Sequence, residues 1–323
     1  MPIVRRKKSP KRTSRRKRNS PKRTSRRKRK KISTSSKMNA FKPSNLSVLN
    51  AVSSNNINEL NVLIKGGADV NKPDGFGQTP VFIASFEGHP ECLKMLIDAG
   101  ADVNKPNIHD TPPIYVAASQ GHPECLKMLI EAGADVNSRY FDDSTPVWGA
   151  VDNANIVCLE ILINWGADIN IPGAYGQTPL LVAVSKGCAE CVSMLIEAGA
   201  NVNTPDDDLV TPIFKAAFMG NQECLRMLIE AGAYVNTPNP FGETPVWIAV
   251  YGGHTECVRM LIVAGADITT PNTKGTTPLE IAREYDHREC ISMIVRRLNR
   301  PTKSAAMVKT GVHEEEEEED KNF

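Results

Sequence analysis

The sequence predicts an all-α solenoid of helix-turn-helix units, because three features recur in one register. Seven of the eight cysteines follow each other at intervals of 33 residues, at Cys92, Cys125, Cys158, Cys191, Cys224, Cys257 and Cys290. A Thr-Pro pair and a Gly-Ala pair recur with the same spacing. A unit of this length cannot bury its apolar face alone, so successive units must stack into one elongated core.

Residues 77–107 illustrate how one unit is built. Thr79 predicts a helix N-cap, and the proline after it suits the first helical position. Gly88 is expected to end this short apolar helix. A second helix follows, with Leu96 on its core face, and Gly100 is the left-handed residue expected at its end. The chain then turns outward toward the next Thr-Pro pair.

These units resemble the ankyrin repeat, whose pattern is Thr-Pro-Leu-His-x-Ala-Ala, Gly-His-x-Glu-Val-Val and Gly-Ala-Asp-Val-Asn. The Thr-Pro pair recurs here at Thr79, Thr145, Thr178, Thr211, Thr244 and Thr277. The resemblance covers about residues 41–299, or eight units, and implies helix pairs joined by short β-hairpin or turn loops. The first and last units carry polar faces and are expected to act as caps.

Charge divides the chain into three predicted regions. Residues 1–40 form a basic arm expected to be disordered, since 1–37 hold 19 of the 39 Lys+Arg and no acid. Residues 41–299 form the repeat domain, and residues 300–323 form an acidic, disordered tail. Between 38 and 313 the chain carries 30 acids and 19 bases. The basic arm and the acidic body therefore suit different partners.

The resemblance implies that a partner protein binds the concave face, which hairpin tips and first helices form. In this chain the corresponding columns vary while their neighbours repeat, and several hold large apolar residues that suit an interface. We predict partner binding by Phe76, Phe86, Phe141, Tyr175, Phe218, Met219, Phe241 and Tyr251. The alternative is that these are scattered surface aromatics without a role.

The family's histidine after Thr-Pro-Leu is replaced in every matching unit. The column holds Phe82, Tyr115, Trp148, Leu181, Phe214, Trp247 and Glu280. We interpret it as packing between neighbouring first helices, with a binding groove as the alternative. Losing the histidine should remove its hydrogen bonds between units, so packing is expected to replace them.

The fourth unit departs furthest from the pattern. Residues 154–157, Ala-Asn-Ile-Val, replace Gly-His-x-Glu, and Trp165 takes a position that usually holds alanine. Two interpretations stay open at this unit: a local bend or partner pocket, and sequence drift without a function.

The cysteines are expected to be eight unpaired thiols, seven of them small buried hydrophobes, which indicates a reducing compartment. Cys188 and Cys191 form a lone C-x-x-C without a second pair, so we assign it no redox or zinc role.

No enzymatic motif is present. Phosphate-binding glycine loops, H-E-x-x-H and the nucleophile elbow are all missing from the sequence. The histidines His89, His122, His254 and His287 recur about one unit apart and so cannot converge on one metal ion. We therefore predict no catalytic residue, no metal and no cofactor.

The basic arm repeats one decapeptide, Ser-Pro-Lys-Arg-Thr-Ser-Arg-Arg-Lys-Arg, at 9–18 and 20–29. Its Ser-Pro-Lys-Arg units resemble SPKK-type motifs of histone tails, and Ser9 and Ser20 suit proline-directed phosphorylation. The cations suited to nucleic acid or an import receptor are Lys11, Arg12, Arg15, Arg16, Lys17, Arg18, Lys22, Arg23, Arg26, Arg27, Lys28 and Arg29. An import signal, a sequence-independent nucleic-acid tether and folding back onto acidic segments all remain open.

The leading functional hypothesis is a monomeric, non-enzymatic scaffold that binds a partner protein, with the arm directing it to the nucleus or nucleic acid. Alternatives are a substrate adaptor of a ubiquitin ligase and a primary nucleic-acid-binding protein. The absence of a secretory signal or a long apolar run favours an intracellular location, nucleus or cytoplasm. Asn104 matches the ankyrin asparagine-hydroxylation pattern, although a structural turn role is the simpler interpretation.

Overall fold

The computed structural model describes residues 45–299, and within them it contains sixteen α-helices and no β-strand. This confirms the predicted all-α class. The helices are α1 (Asn45–Ser53), α2 (Ile57–Lys65), α3 (Pro80–Glu87), α4 (Pro90–Asp98), α5 (Pro113–Gln120), α6 (Pro123–Glu131), α7 (Pro146–Asp152), α8 (Ile156–Asn164), α9 (Pro179–Lys186), α10 (Ala189–Glu197), α11 (Pro212–Met219), α12 (Gln222–Glu230), α13 (Pro245–Tyr251), α14 (Thr255–Val263), α15 (Pro278–Glu284) and α16 (Arg288–Leu298). The predictions for the basic arm and for 300–323 lie outside the described residues.

The helices form two layers along a single core. Each odd-numbered helix packs on the next odd-numbered one, each even-numbered helix packs on the next even-numbered one, and each pair is joined by a short loop. Buried leucine, isoleucine, valine and alanine side chains make one continuous cluster from Val48 to Ile294. Each unit therefore completes its apolar burial against its neighbours.

Threonine caps begin the odd-numbered helices as predicted. The side chains of Thr79, Thr145, Thr178, Thr211, Thr244 and Thr277 each accept a hydrogen bond from the amide three residues later. Each satisfies an amide that would otherwise lack a partner at the helix start. Pro112 takes this position before α5 and provides no side-chain cap.

Asparagines after six of the seven Gly-Ala turns connect neighbouring units. The Oδ1 atom of Asn104 accepts the amide of Asp135 at 3.1 Å, and its Nδ2 donates to the Gly133 carbonyl at 3.1 Å. The equivalent amide-to-Oδ1 bonds involve Asn71, Asn137, Asn170, Asn203 and Asn236. This asparagine ladder gives Asn104 a structural role; hydroxylation of Asn104 stays a prediction.

The aromatic column is largely buried packing, which confirms the first interpretation at Phe82, Leu181 and Phe214. One expectation about this column is wrong, however. Hydrogen bonds between units persist without histidine, because the indole nitrogens of Trp148 and Trp247 donate to the carbonyls of Gln177 and Thr276 at 3.1 and 2.9 Å. Tryptophan combines a large apolar ring with a donor that reaches the next hairpin.

The expectation of eight unpaired thiols is also wrong. Six cysteines are free and buried, but Cys188 and Cys191 are joined in a disulfide, with their Cα atoms 5.3 Å apart. The pairing is possible because Cys188 is the N-cap of α10 and Cys191 lies three residues later, in the first helical turn. A Cα separation in this range suits a disulfide.

The loops between successive units end in seven five-residue hairpin tips, which share one conformationally demanding position. The tips are residues 74–78, 107–111, 140–144, 173–177, 206–210, 239–243 and 272–276. The fourth residue of each tip has positive φ, and glycine fills it four times. Leu209 occupies this position in the fifth tip with φ +58°. Its side chain is exposed, so little burial offsets the strained backbone. A branched side chain in this left-handed conformation is strained, because Cβ crowds the following carbonyl oxygen.

Leu209→Gly is therefore expected to stabilise the protein by about 0.5–1 kcal/mol, the relief of strain minus the greater entropy of glycine in the unfolded chain. Urea unfolding followed by circular dichroism measures the change. Gly275→Ala is the reverse control, since Gly275 has φ +83° and open space around the site. A destabilised Leu209→Gly variant would show that contacts of the leucine side chain outweigh the strain.

Candidate functional site

We define the tip face as the seven hairpin tips together with the C-terminal turns of the odd-numbered helices. All eight residues predicted to bind a partner lie on this face with exposed side chains. Tyr175 is the most exposed of them, at 81%. Exposure leaves these side chains free to make contacts, whereas the repeating columns beside them are buried.

Side-chain hydrogen bonds hold most tips in a fixed conformation. The Oδ1 atom of Asp74 accepts the amides of Phe76 and Gln78, at 2.8 and 2.9 Å. Asn239 holds Phe241 in the same way, with its Oδ1 accepting the amides of Phe241 and Glu243. These turns direct the aromatic side chains outward from an ordered backbone, so little backbone entropy is lost when a partner binds.

Neighbouring tips are joined by backbone hydrogen bonds at only some junctions of the described chain. Amides of Ile108, Asp207 and Thr273 donate to the carbonyls of Phe76, Tyr175 and Phe241, at 3.2, 3.1 and 2.9 Å. Within residues 45–299, the third tip (140–144) has no such bond to the tip on either side. It begins with Tyr140, which lacks the side-chain acceptor that an aspartate or asparagine supplies at the start of five other tips.

A cleft of about 590 Å³ opens beside this third tip. We name it the central cleft. Its lining includes Arg139, Phe141, Asp142, Asp143, Tyr175 and Asp207. Three carboxylates face one guanidinium, and Arg139 is already paired with Asp143 at 3.0 Å. The central cleft therefore combines two exposed aromatic rings with an excess of negative charge.

Two further aromatic rings pack behind Phe141, which lines the central cleft. Tyr115 stacks on Tyr140 with ring centroids 5.0 Å apart, and Tyr140 meets Phe141 edge-on at 4.6 Å. Burial and the nearby Asp142 carboxylate raise the pKa of Tyr115, so its hydroxyl stays neutral. The rings form a continuous series from α5 to the tip, which limits the motion of Phe141.

A second cleft, the C-terminal cleft, lies between the last two tips and has a volume of about 600 Å³. Phe241 and Tyr251 line it together with Glu243, Lys274, Glu284 and Tyr285. Tyr251 stacks on Trp247 at 5.8 Å and meets Tyr285 edge-on at 5.2 Å. Like the central cleft, it presents aromatic surface beside more carboxylates than cations.

The structure thus brings together four of the eight predicted residues, in two pairs. Phe141 and Tyr175 both line the central cleft, and Phe241 and Tyr251 both line the C-terminal cleft. The other four, Phe76, Phe86, Phe218 and Met219, line neither cleft. The carboxylates of Asp142, Asp207, Glu243 and Glu284 are not among the predicted residues, because only large apolar side chains were selected. The signal in the sequence that could have identified these carboxylates is their place in the repeat, next to the exposed aromatic positions.

The recurring histidines have structural roles rather than a shared site. The Nε2 atoms of His122, His254 and His287 lie 3.0, 3.1 and 3.3 Å from carbonyl oxygens of the preceding unit. In the fourth unit Asn155 takes this role, donating to the carbonyls of Ala118 and Ser119. Among residues 45–299, no three His, Cys, Asp or Glu side chains are grouped to hold a metal ion.

The described helices include none with the length and apolar character required to cross a bilayer. A family model described as Ankyrin repeats (3 copies) matches residues 48–140, 147–239 and 214–303. The crystal structure of the human ASB11 ankyrin repeat domain is similar to this chain, with a TM-score of 0.60 and 27% sequence identity. That similarity covers 69% of this chain and 100% of the ASB11 chain. No curated protein matches the sequence.

Proposed function

The chain belongs to the ankyrin repeat family, and we propose that it is a non-enzymatic scaffold that binds a partner protein along the tip face. Ankyrin repeats form protein–protein interaction domains. The observation that carries the proposal is the contrast between buried repeating columns and variable columns on one face, which hold exposed aromatic side chains in several units. Exposed aromatic side chains reduce solubility, whereas aromatics are enriched at interface centres.

The two clefts indicate the chemistry of the partner. Each combines exposed aromatic rings with more carboxylates than cations. A lysine or arginine side chain satisfies both features, because its charge pairs with a carboxylate while its stem or guanidinium lies against a ring. We propose that the partner presents a segment in which apolar residues alternate with Lys or Arg.

Peptide selection tests this proposal although the partner is unidentified. A displayed random-peptide library is selected on the immobilised full chain, and the dissociation constant of each enriched peptide is measured by fluorescence anisotropy. Enriched peptides are expected to carry Lys or Arg beside apolar residues. Phe241→Ala and Tyr251→Ala are each expected to raise the dissociation constant at least about 30-fold, the effect of losing an interface hot spot.

Tyr234→Ala is the matched control, since Tyr234 is an exposed tyrosine away from the tip face. It should leave peptide affinity unchanged, and all three variants should keep a melting temperature near that of the wild type. Equal binding by all variants, or enrichment of acidic peptides without cations, would contradict the proposal.

The repeated decapeptide of the basic arm supports a second part of the proposed function. We propose that residues 1–37 direct the chain to the nucleus or tether it to nucleic acid, since 19 cations without an acid attract polyanions regardless of base sequence. A fluorescent full chain and a variant lacking 1–37 are compared for nuclear accumulation and for DNA binding across a salt series. Equal behaviour of both proteins in both assays would refute this part.

A further inference from the structure

Cys188, which forms a disulfide with the buried Cys191, is the most exposed of the described cysteines. The six free cysteines are buried at the core of successive units. Burial raises the pKa of Cys125 to about 12 and the pKa of Cys158 to about 11, so these thiols stay protonated. A protonated, buried thiol is a poor nucleophile. Cys188, in contrast, is half-buried and therefore within reach of small molecules.

Cys188 lies opposite a residue of the preceding unit that also departs from the repeat pattern. In most other units a glycine with positive φ faces the histidine or asparagine of the next unit. A Cβ on Gly88 or on Gly220 would lie 2.4 Å from the imidazole ring that it faces. The fourth unit has Ala154 at this position, with φ +53°. The Cβ of Ala154 takes the space that an imidazole oriented like that of His122 would need, whereas the smaller cysteine side chain fits beside it.

The replacement of histidine or asparagine by cysteine places a sulfur at the N-cap of α10. Cys188 Sγ accepts the amide of Cys191 at 3.3 Å, and the helix dipole of this nine-residue helix favours negative charge at that end. The second sulfur follows in the first turn, within bonding reach. The arrangement combines an accessible sulfur, a helix N-terminus and a resolving partner three residues away, as reactive C-x-x-C pairs require.

We propose that Cys188 and Cys191 form a reversible dithiol–disulfide site that exchanges with small disulfides of the glutathione class. The Cys188 thiolate attacks one sulfur of the small disulfide, forming a mixed disulfide and releasing the first small thiolate. The Cys191 sulfur, on losing its proton, then attacks Cys188 Sγ and releases the second. Two electrons and two protons pass from the protein dithiol to the small disulfide, which leaves as two thiols.

Thiol counting by mass spectrometry tests this site on the folded full chain. The reduced protein is equilibrated with oxidised glutathione, quenched in acid, unfolded and alkylated. The number of alkylated cysteines is expected to fall from eight to six, with a 188–191 crosslink in the digest. Reduced glutathione in excess should restore all eight.

Two variants separate the roles of the paired sulfurs. Cys191→Ala should retain glutathione on Cys188 as a stable mixed disulfide, since no resolving thiol is present. Cys188→Ser should show seven free thiols in both buffers, and serine preserves the N-cap. Eight alkylated cysteines in wild type after oxidation, or persistent glutathione on wild-type Cys188, would overturn the proposal.

Discussion

Trp247→Ala is expected to destabilise the protein by about 3–5 kcal/mol, the usual cost of removing a buried tryptophan. Trp247 is only 5% exposed and lies at the junction with the last unit. Its ring packs in the core, stacks on Tyr251 and donates to the Thr276 carbonyl. The variant loses this contact area and leaves both a cavity and an unpaired carbonyl.

Urea unfolding measures the total effect, and amide hydrogen exchange locates it. Faster exchange should appear first in α15 and α16, because they contact the rest of the stack through this junction. Trp247→Phe keeps most of the ring and is expected to cost about 0.5–1.5 kcal/mol, near the value of one hydrogen bond. Trp165→Ala is the control, since Trp165 is half exposed. Equal losses at Trp165 and Trp247 would show that the junction has no special role.

Cys188→His is expected to destabilise the reduced protein by about 1–3 kcal/mol, because an imidazole oriented like that of His122 would collide with the Cβ of Ala154. Adding Ala154→Gly should remove the collision and also the strain of a left-handed alanine. The imidazole is then expected to bond the Asp152 carbonyl, which lies 36 residues earlier, as His122 bonds Phe86. The double variant should therefore be at least as stable as wild type.

A double-mutant cycle compares the wild type, Cys188→His, Ala154→Gly and the double variant by denaturant unfolding. Reductant is present throughout, so that the disulfide does not contribute. We expect a favourable coupling of about 2 kcal/mol or more between positions 154 and 188, as for directly contacting residues. Cys188→Ser controls for loss of the thiol alone. Additive effects of the two changes would refute the steric explanation for the cysteine at position 188.

The register of the stack could be predicted from the sequence because it depends on local signals. Thr79 before Pro80 begins a helix and Gly88 ends it through contacts within a few residues, and the same signals recur every 33 residues. The exposed aromatic residues were predictable from their repeat position, because they stand at hairpin tips and late turns of the first helices. Variation alone was insufficient, since the column from Phe82 to Glu280 also varies and is largely buried.

Features that depend on contacts between units were not predictable in the same way. The Trp148 indole reaches the Gln177 carbonyl, 29 residues away, only because the next hairpin lies against it. The disulfide itself is local to the start of α10, but the cysteine at 188 lies opposite Ala154 of another unit, where most units have a glycine. The central cleft opens where the third tip forms no backbone bond with its neighbours, and this is a property of backbone geometry.

The asparagine ladder has a consequence for how such a chain changes length during evolution. Each rung joins an asparagine to the amide 31 residues later, and the next rung repeats the same bond one unit further on. In-frame deletion or duplication of 33 residues therefore leaves every remaining rung with an equivalent partner. Gene rearrangement is thus expected to add or remove whole units at little cost in stability, and with them whole segments of recognition surface.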